Sequence, residues 1–501
     1  MSCTLALTAV AHPNIRADDG AEYEFFASLG SADGSASRTA TLLRSSLRKY
    51  IKSVGLTAES ALTLEYSPAL GAPETQPSVS TDDWVGAVDA HSDSDFIAAG
   101  LFSGALTLFR ASSLTGTAPG SRVALATVAA HDGPLTSLQL FEAGDVPCVA
   151  TGGRDGAVRL WSARAAAAGS GGTATATAVT LSPFAELEGA SAGVGCVRVD
   201  PSGRLVVAGD DKGALALWSV PTLPSPAVST DAPGKDGAMP PPPLPSAKRA
   251  RRGTSADVGV APPPIAPPAA VSVRRALFSL GAAPAGVGTA HGGSPVGGVA
   301  WLSSSSVSSG GWDRAIRVWD LEGATGATLR ATVWAAKAVT GLTATPMGSV
   351  VGSSHPDGVV RVWDTREDAT SVPPPKGTTA LAAGQRASLL LPAAAPGGDA
   401  PWLSAVAWSR RNAHHVAAAA HDGTVALWDV RAPGAPVVRS VHGATALAAA
   451  AAAAASAGAS EAPPPKALGL AWLGGDAGAG GAGIVSGGAD RELRTAMLPG
   501  L

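Results

Sequence analysis

The stretch GGRDGAVRLWS, Gly152–Ser162, decides how this chain is read. Val158 and Leu160 alternate with Ala157 and Arg159, so a short strand has one apolar face. Asp155-Gly156 just before it is a tight-turn signal, because Asp can bond its own downstream backbone and Gly accepts a positive φ. A pair of small residues precedes the turn, and Trp161 ends the strand. The same pattern recurs in GDDKGALALWS ending near Trp218, GGWDRAIRVWD near Trp319, SSHPDGVVRVWD near Trp363 and AAAHDGTVALWDV near Trp428. Weaker copies stand on either side, AGLFSGALTLF ending at Phe109 and SGGADRELRTA ending at Ala496. That makes seven.

In four copies the turn acid lies six residues before the aromatic: 161−155, 319−313, 363−357 and 428−422. Asp211 lies seven before Trp218, which predicts a longer or bulged turn in that copy. His131 precedes Asp155, His291 precedes Asp313 and His442 precedes Asp490. A histidine in the preceding loop is placed to bond the turn acid. These residues, with Asp357 and Asp422, recur once per copy, so they read as structural; a catalytic site would appear once. The unit resembles the WD repeat, the four-stranded blade of β-propellers. Seven copies imply a mainly β fold, one propeller closing over residues 83–501.

Trp319 lies 101 residues after Trp218, against a period of about 40–45 for a plain blade. The excess, MPPPPLPSAKRARRGTSADVGVAPPPIAPPAA, is proline-rich and poor in aromatics, so a disordered inter-blade insertion is expected at about 221–275. A smaller, alanine-rich one is expected at about 443–465. Pro240–Pro243 could engage an aromatic-lined groove as a polyproline helix, although a plain disordered linker fits better. Lys248, Arg249, Arg251 and Arg252 are read as a nuclear import signal, with an RNA phosphate contact or a solvated charge run as alternatives.

The net charge of −3 makes the whole molecule no electrostatic nucleic-acid binder, and no direct DNA binding is expected. Three scattered cysteines, Cys3, Cys148 and Cys196, argue against a disulfide or zinc framework and fit a reducing compartment. The longest apolar run, 446–455, is too short to cross a bilayer, and no basic residue precedes Arg16, so neither membrane insertion nor a secretory signal is expected. His414-His415 has no third ligand nearby in sequence. No phosphate-loop, nucleophile-elbow or paired-carboxylate signature is present, and neither intrinsic catalysis nor a cofactor is expected.

Ahead of the repeats, EYEFF (Glu22–Phe26) reads as a strand. LLRSSLRKYIKSVG (Leu42–Gly55) reads as an amphipathic helix stopped by Gly55, and TLEY leads into a final strand. The run LLRSSLRKYIKSVGLTAESALTLEY followed by DDWVGAVDA (Asp82–Ala90) resembles the junction of a ubiquitin-like domain and a propeller in the WD-repeat ribosome-biogenesis family that partners pescadillo and the block-of-proliferation protein. The basic segment in the inter-blade loop is similar as well. The resemblance implies a partial ubiquitin-like α+β module over 1–70, a linker over 71–82 and then the propeller. Family members carry two further strands and a helix ahead of the first of these strands, and the first twenty or so residues here do not show that pattern.

What the resemblance implies is a non-catalytic assembly factor for the large ribosomal subunit, acting in the nucleus on pre-60S particles. Its propeller would bind the block-of-proliferation protein in a trimer with pescadillo, and its ubiquitin-like module would be held by the AAA ATPase midasin. Aligning GLTAE on the family's motif implies that Glu59 completes the coordination of a Mg²⁺ held by midasin, a hard cation suited to a carboxylate. Glu65 reads as ordinary strand charge. A Notchless-like midasin-binding factor and a propeller substrate receptor of a ubiquitin ligase are the alternatives.

Overall fold

The computed structural model describes residues 23–29, 41–43, 47–55, 62–68, 70–91, 94–115, 122–165, 179–223, 272–280, 289–323, 326–366, 384–392, 399–433, 436–442, 465–474 and 482–499. Each of the seven recurring stretches supplies the third strand of an antiparallel sheet, and two to three neighbouring stretches complete it. From the inside outward, blade 1 is Val85–His91, Phe96–Leu101, Ala105–Arg110 and Ala126–Ala129. Blade 2 is Leu135–Ala143, Val146–Gly153, Val158–Ala165 and Val179–Glu188; blade 3 is Val194–Val199, Leu205–Asp210, Leu215–Ser219 and Phe278–Leu280. Blade 4 is Val296–Ser303, Ser306–Gly311, Ala315–Gly323 and Gly326–Trp334; blade 5 is Gly341–Ala344, Val350–Ser354, Val359–Asp364 and Gln385–Leu390. Blade 6 is Leu403–Trp408, His415–Ala420, Thr424–Asp429 and Val438–Val441. The innermost strands of successive blades touch in cyclic order, and the last of them returns to Val85–His91. The ring is a seven-bladed propeller.

The core lies between blades, which is why third strands end in large rings. Trp161, Trp218, Trp319, Trp363 and Trp428 are all 5% exposed or less, and each packs on side chains of the preceding blade. Burying one such ring removes roughly 150–250 Å² from water, an upper figure of about 4–6 kcal/mol of transfer free energy each. The innermost strands carry the same irregularity near their starts in six blades, for example between Val85 and Ala87 and between Val296 and Gly298. A bulge of this kind bends the strand and lets neighbouring blades approach. At Gly297 the approach is so close that a Cβ would meet the Val339 carbonyl oxygen at 2.0 Å.

Blade 7 is completed from the other end of the chain. Its three inner strands are Ala467–Leu473, Gly483–Gly488 and Glu492–Met497, and its outer edge is Glu74–Thr75, with Val79–Ser80 pairing the same third strand. Val79 is buried among Val85, Leu101 and Leu493. The stretch 71–82, read from sequence as a linker, therefore holds the strand segments that close the ring. Alternation is too short there for a periodicity signal, so the pairing was invisible in the sequence. Ser272–Arg275, at the end of the expected insertion 221–275, likewise forms a strand, parallel to Val179–Glu188. Residues 224–271 and 443–464 lie outside the described residues.

Before the propeller, β1 (Tyr23–Leu29) lies between β2 (Thr41–Leu42) and β3 (Leu62–Pro68), antiparallel to both, with α1 (Leu47–Val54) in the connection. The helix is shorter than the sequence pattern predicts, because Thr41–Leu42 is drawn into the sheet. Phe26 of β1 is fully buried, and the Arg431 guanidinium from blade 6 sits 3.9 Å from its ring centre. That contact ties the small sheet to the propeller.

Candidate interaction surface of the propeller

The turn between the second and third strands of each blade lies at one rim of the ring, beside the entry to the innermost strand. The residue just before the turn acid, or its equivalent, donates its N–H to the residue that enters the innermost strand: Phe102 to Trp84, Arg154 to Pro134, Trp312 to Pro295 and His421 to Trp402. Sequence determines whether these turns hold. In blade 2, His131 Nδ1 lies 2.9 Å from Asp155 Oδ1 and His131 Nε2 lies 2.9 Å from Thr151 Oγ1, which also accepts from Trp161 Nε1 at 3.0 Å. Blade 4 repeats the chain: Asp313, His291, Ser309 and Trp319, with distances of 2.9, 2.8 and 2.9 Å. In blade 7, His442 bridges Ser486 at 2.9 Å and Asp490 at 3.0 Å.

Burial opposes ionisation of Asp155, but the Ala157 N–H and the His131 and Arg159 side chains outweigh it and hold the carboxyl at about 2. Asp490 is held at about 2 in the same way, with burial overcome by His442 and Arg494. Burial is the main reason that the His131 and His291 imidazoles fall below their ordinary value. Four of the turn acids are thus ionised structural anchors, each gripped by an arginine further along its own strand: Arg159, Arg317, Arg361 and Arg494 reach Asp155, Asp313, Asp357 and Asp490.

Two copies depart from the sequence expectation. Asp211 does not mark a longer turn in blade 3. Gly213 donates to Asp210 as Gly156 does to Gly153, so the two turns have the same length, with Lys212 at the position of Asp155 and Asp210 at that of Gly153. Asp210, 2% exposed, accepts from Ser191 and from the Lys212 and Ala214 N–H groups, while Asp211 faces out to the Arg154 guanidinium of blade 2. In blade 5 the histidine comes from the turn itself: His355 bonds Ser353 at 2.8 Å, and Ser353 accepts from Trp363 at 2.7 Å. Burial pushes His355 down to about 4. In blade 6, Asp422 caps the Thr424 N–H at 2.9 Å, and Ala418 stands where blades 2, 4, 5 and 7 have a hydroxyl, so Trp428 Nε1 is buried without a partner. His415 faces Asp429 at 3.6 Å, and no group of three metal-ligating side chains occurs among the described residues.

Inside the ring runs a channel of about 1220 Å3 lined by the innermost strands. Its polar side chains stitch neighbouring blades: Asp89 accepts from the Leu140 N–H at 2.8 Å, Gln139 from Val199 at 2.9 Å and Thr343 from Trp408 at 3.0 Å. Cys148 and Cys196 are buried, and burial pushes both thiols up to about 12.

What the rim offers is aromatic surface. Trp84, Trp312 and Trp402, 36–48% exposed, and Phe102 project there. Trp84 meets Phe102 edge-on at 5.6 Å; Trp402 lies 5.9 Å from Trp312 and stacks within 8° of His421 at 5.9 Å. Exposed clustered tryptophan is characteristic of protein interfaces. The sequence reading missed these residues, although all but Trp84 and Trp402 occupy one repeat position, directly before the turn acid or its equivalent. Lys248, Arg249, Arg251, Arg252 and Glu59 lie outside the described residues.

Rim, channel, hydrogen-bonded turns and inter-blade tryptophans define a WD-repeat β-propeller protein. The WD domain, G-beta repeat family matches residues 122–162, 181–219, 284–320 and 396–429. The similarity goes further, to WD-repeat proteins of ribosome biogenesis. It is 28% identical to a ribosome biogenesis protein WDR12 homolog of Chlamydomonas reinhardtii over 90% of this chain and 84% of that protein. It is 25% identical to the corresponding Arabidopsis thaliana protein over 90% of this chain and 82% of that one. A ribosome biogenesis protein YTM1 of Podospora anserina is 31% identical over 37% of this chain and 38% of its own length.

Proposed function

We propose that this protein is a non-catalytic scaffold in assembly of the large ribosomal subunit and maturation of its RNA, working in the nucleus on pre-60S particles. Its propeller binds the block-of-proliferation protein through the aromatic rim, in a complex with pescadillo. The segment ahead of the ring acts as a ubiquitin-like handle for midasin, with Glu59 as the carboxylate offered to a Mg²⁺ that midasin holds, and Lys248, Arg249, Arg251 and Arg252 direct nuclear import. The observation that carries the reading is the exposed rim cluster on a ring whose turn acids and histidines are otherwise engaged in holding blades together. Similarity to ribosome biogenesis proteins along 90% of the chain supports the same assignment.

Affinity purification of the wild-type protein, Glu59→Ala and the double variant Trp312→Ala/Trp402→Ala tests it. Wild type recovers all three partners. Glu59→Ala keeps pescadillo and the block-of-proliferation protein but loses midasin and accumulates on pre-ribosomes. The rim variant loses the block-of-proliferation protein. Unchanged midasin recovery with Glu59→Ala removes that residue from its role, and absence of both trimer partners from the wild type overturns the assembly reading.

A further inference from the structure

Five blades end their third strand in tryptophan and blade 1 ends it in Phe109, but blade 7 has Ala496 at that position. Ala496 pairs with Ile484, and the hydroxyl two places on, Ser486, pairs with Arg494. This is the register in which Trp161 pairs with Val149 and Thr151 pairs with Arg159. Ser486 is therefore the counterpart of Thr151, Ser309 and Ser353, each of which accepts an indole N–H from its own blade. It bonds His442 as they bond theirs, but no indole arrives. Between blades 6 and 7 the missing ring leaves a cavity of about 520 Å3. Ala496, Ser486, Ile484 and Leu427 line it, and the Pro73–Ser78 segment walls its outer side. An apolar cavity of about 150 Å3 is enough to take a benzene ring. Arg494, also in the lining, has its Nε buried without a partner.

We propose that this cavity is a receptor site for a tryptophan side chain presented by another protein. The guest ring fills the space that the other blades fill for themselves. Its indole N–H donates to Ser486 Oγ, and Arg494 Nε–H is left for a carbonyl of the guest's backbone. The chain has no ring of its own to place there. No tryptophan, phenylalanine or tyrosine lines the cavity among the described residues, and the stretches outside them contain none. The site is separate from the rim and does not rest on which assembly the protein serves.

Indole, benzofuran and N-acetyltryptophanamide serve as probes on the full chain, with binding read by saturation-transfer NMR and by the midpoint of thermal unfolding. Wild type binds indole and N-acetyltryptophanamide, and both raise the midpoint by linkage. Ala496→Trp raises the midpoint with no probe and cuts probe binding by at least about tenfold, because the ring is then supplied internally. Should that variant fail to fold, Ala496→Met, a smaller filler, gives the same readout. Ser486→Ala weakens indole by roughly tenfold while leaving benzofuran, which lacks the N–H, unchanged. Equal probe binding by wild type and the filled variants overturns the proposal, as does failure of both tryptophan-like probes to bind wild type at millimolar concentration. Binding of indole without N-acetyltryptophanamide overturns the peptide-borne guest.

Discussion

Ser309→Ala is the sharpest test of the hydrogen-bonded chains that hold the blades. Ser309 is fully buried, and its Oγ stands 2.8 Å from His291 Nε2 and 2.9 Å from Trp319 Nε1. His291 in turn reaches Asp313 at 2.9 Å, so the natural direction of donation runs from indole to hydroxyl, from hydroxyl to imidazole and from imidazole to carboxylate. Removing the hydroxyl strands two buried polar groups at once, since neither Trp319 nor His291 can reach water without opening the blade 3–4 interface. At roughly 1–3 kcal/mol for each polar group left unpaired, the substitution costs about 2–6 kcal/mol. Thermal and urea unfolding followed by tryptophan fluorescence measure the loss. Ser309→Thr is the control, because blade 2 uses Thr151 in the same place, and it should stay within about 1 kcal/mol of wild type. A Ser309→Ala protein as stable as wild type, or a threonine variant as weak as the alanine one, would refute the reasoning.

Blade 6 supplies the mirror experiment: Ala418→Ser gives the orphaned Trp428 Nε1 an acceptor and should add about 0.5–1.5 kcal/mol, whereas a neutral or destabilising result counts against the assignment of that position. Acid should unfold the ring early. Burial holds His131, His291 and His355 below 6.5, so the unfolded chain binds more protons; their stabilisation is complete above about pH 6.5 and declines as pH falls, for His355 until about 4, at about 1.4 kcal/mol per pH unit for each histidine. Asp155 and Asp490, held at about 2 against an ordinary 3.8, add a second loss across that lower window, and unfolding midpoints that rise between pH 6.5 and 4 would contradict the signs. Deletion through residue 82 removes the outer edge of blade 7 and should lower the unfolding midpoint far more than deletion through residue 69, with equal effects arguing against closure by Glu74–Ser80.

The propeller was legible because each third strand repeats one local grammar: turn acid, left-handed turn residue, two alternating apolar positions and a ring. Even the turn in the D-R copies follows, since Arg314 and Arg491 adopt the positive φ that Gly156 and Gly423 take elsewhere. Asp210 was missed because spacing from Trp218 singles out the nearer acid, and two adjacent aspartates look interchangeable until the backbone bonds are placed. The hydroxyls Thr151, Ser309 and Ser353 were missed although each lies ten residues before its tryptophan, 161−151, 319−309 and 363−353. Serine and threonine are so common in this chain that a constant offset carries weight only once a donor is known to be there. The closing edge was out of reach for another reason. Glu74–Thr75 and Val79–Ser80 are two-residue segments whose partner lies more than four hundred positions away, and no local pattern encodes a pairing of that span.

That distant pairing has a mechanical consequence. A ring assembled blade by blade has one seam at which its two ends are fastened, and here the fastening lies between residues 74–80 and the third strand of blade 7. Anything that grips the small sheet of β1–β3 pulls through the chain onto that seam, once the Phe26–Arg431 contact with blade 6 gives way, rather than onto the covalently continuous joints between other blades. Tension on the small sheet is therefore delivered to the clasp, and the number of hydrogen bonds in two short segments, with Val79 wedged behind them, sets how hard the protein can be pulled before its circle opens.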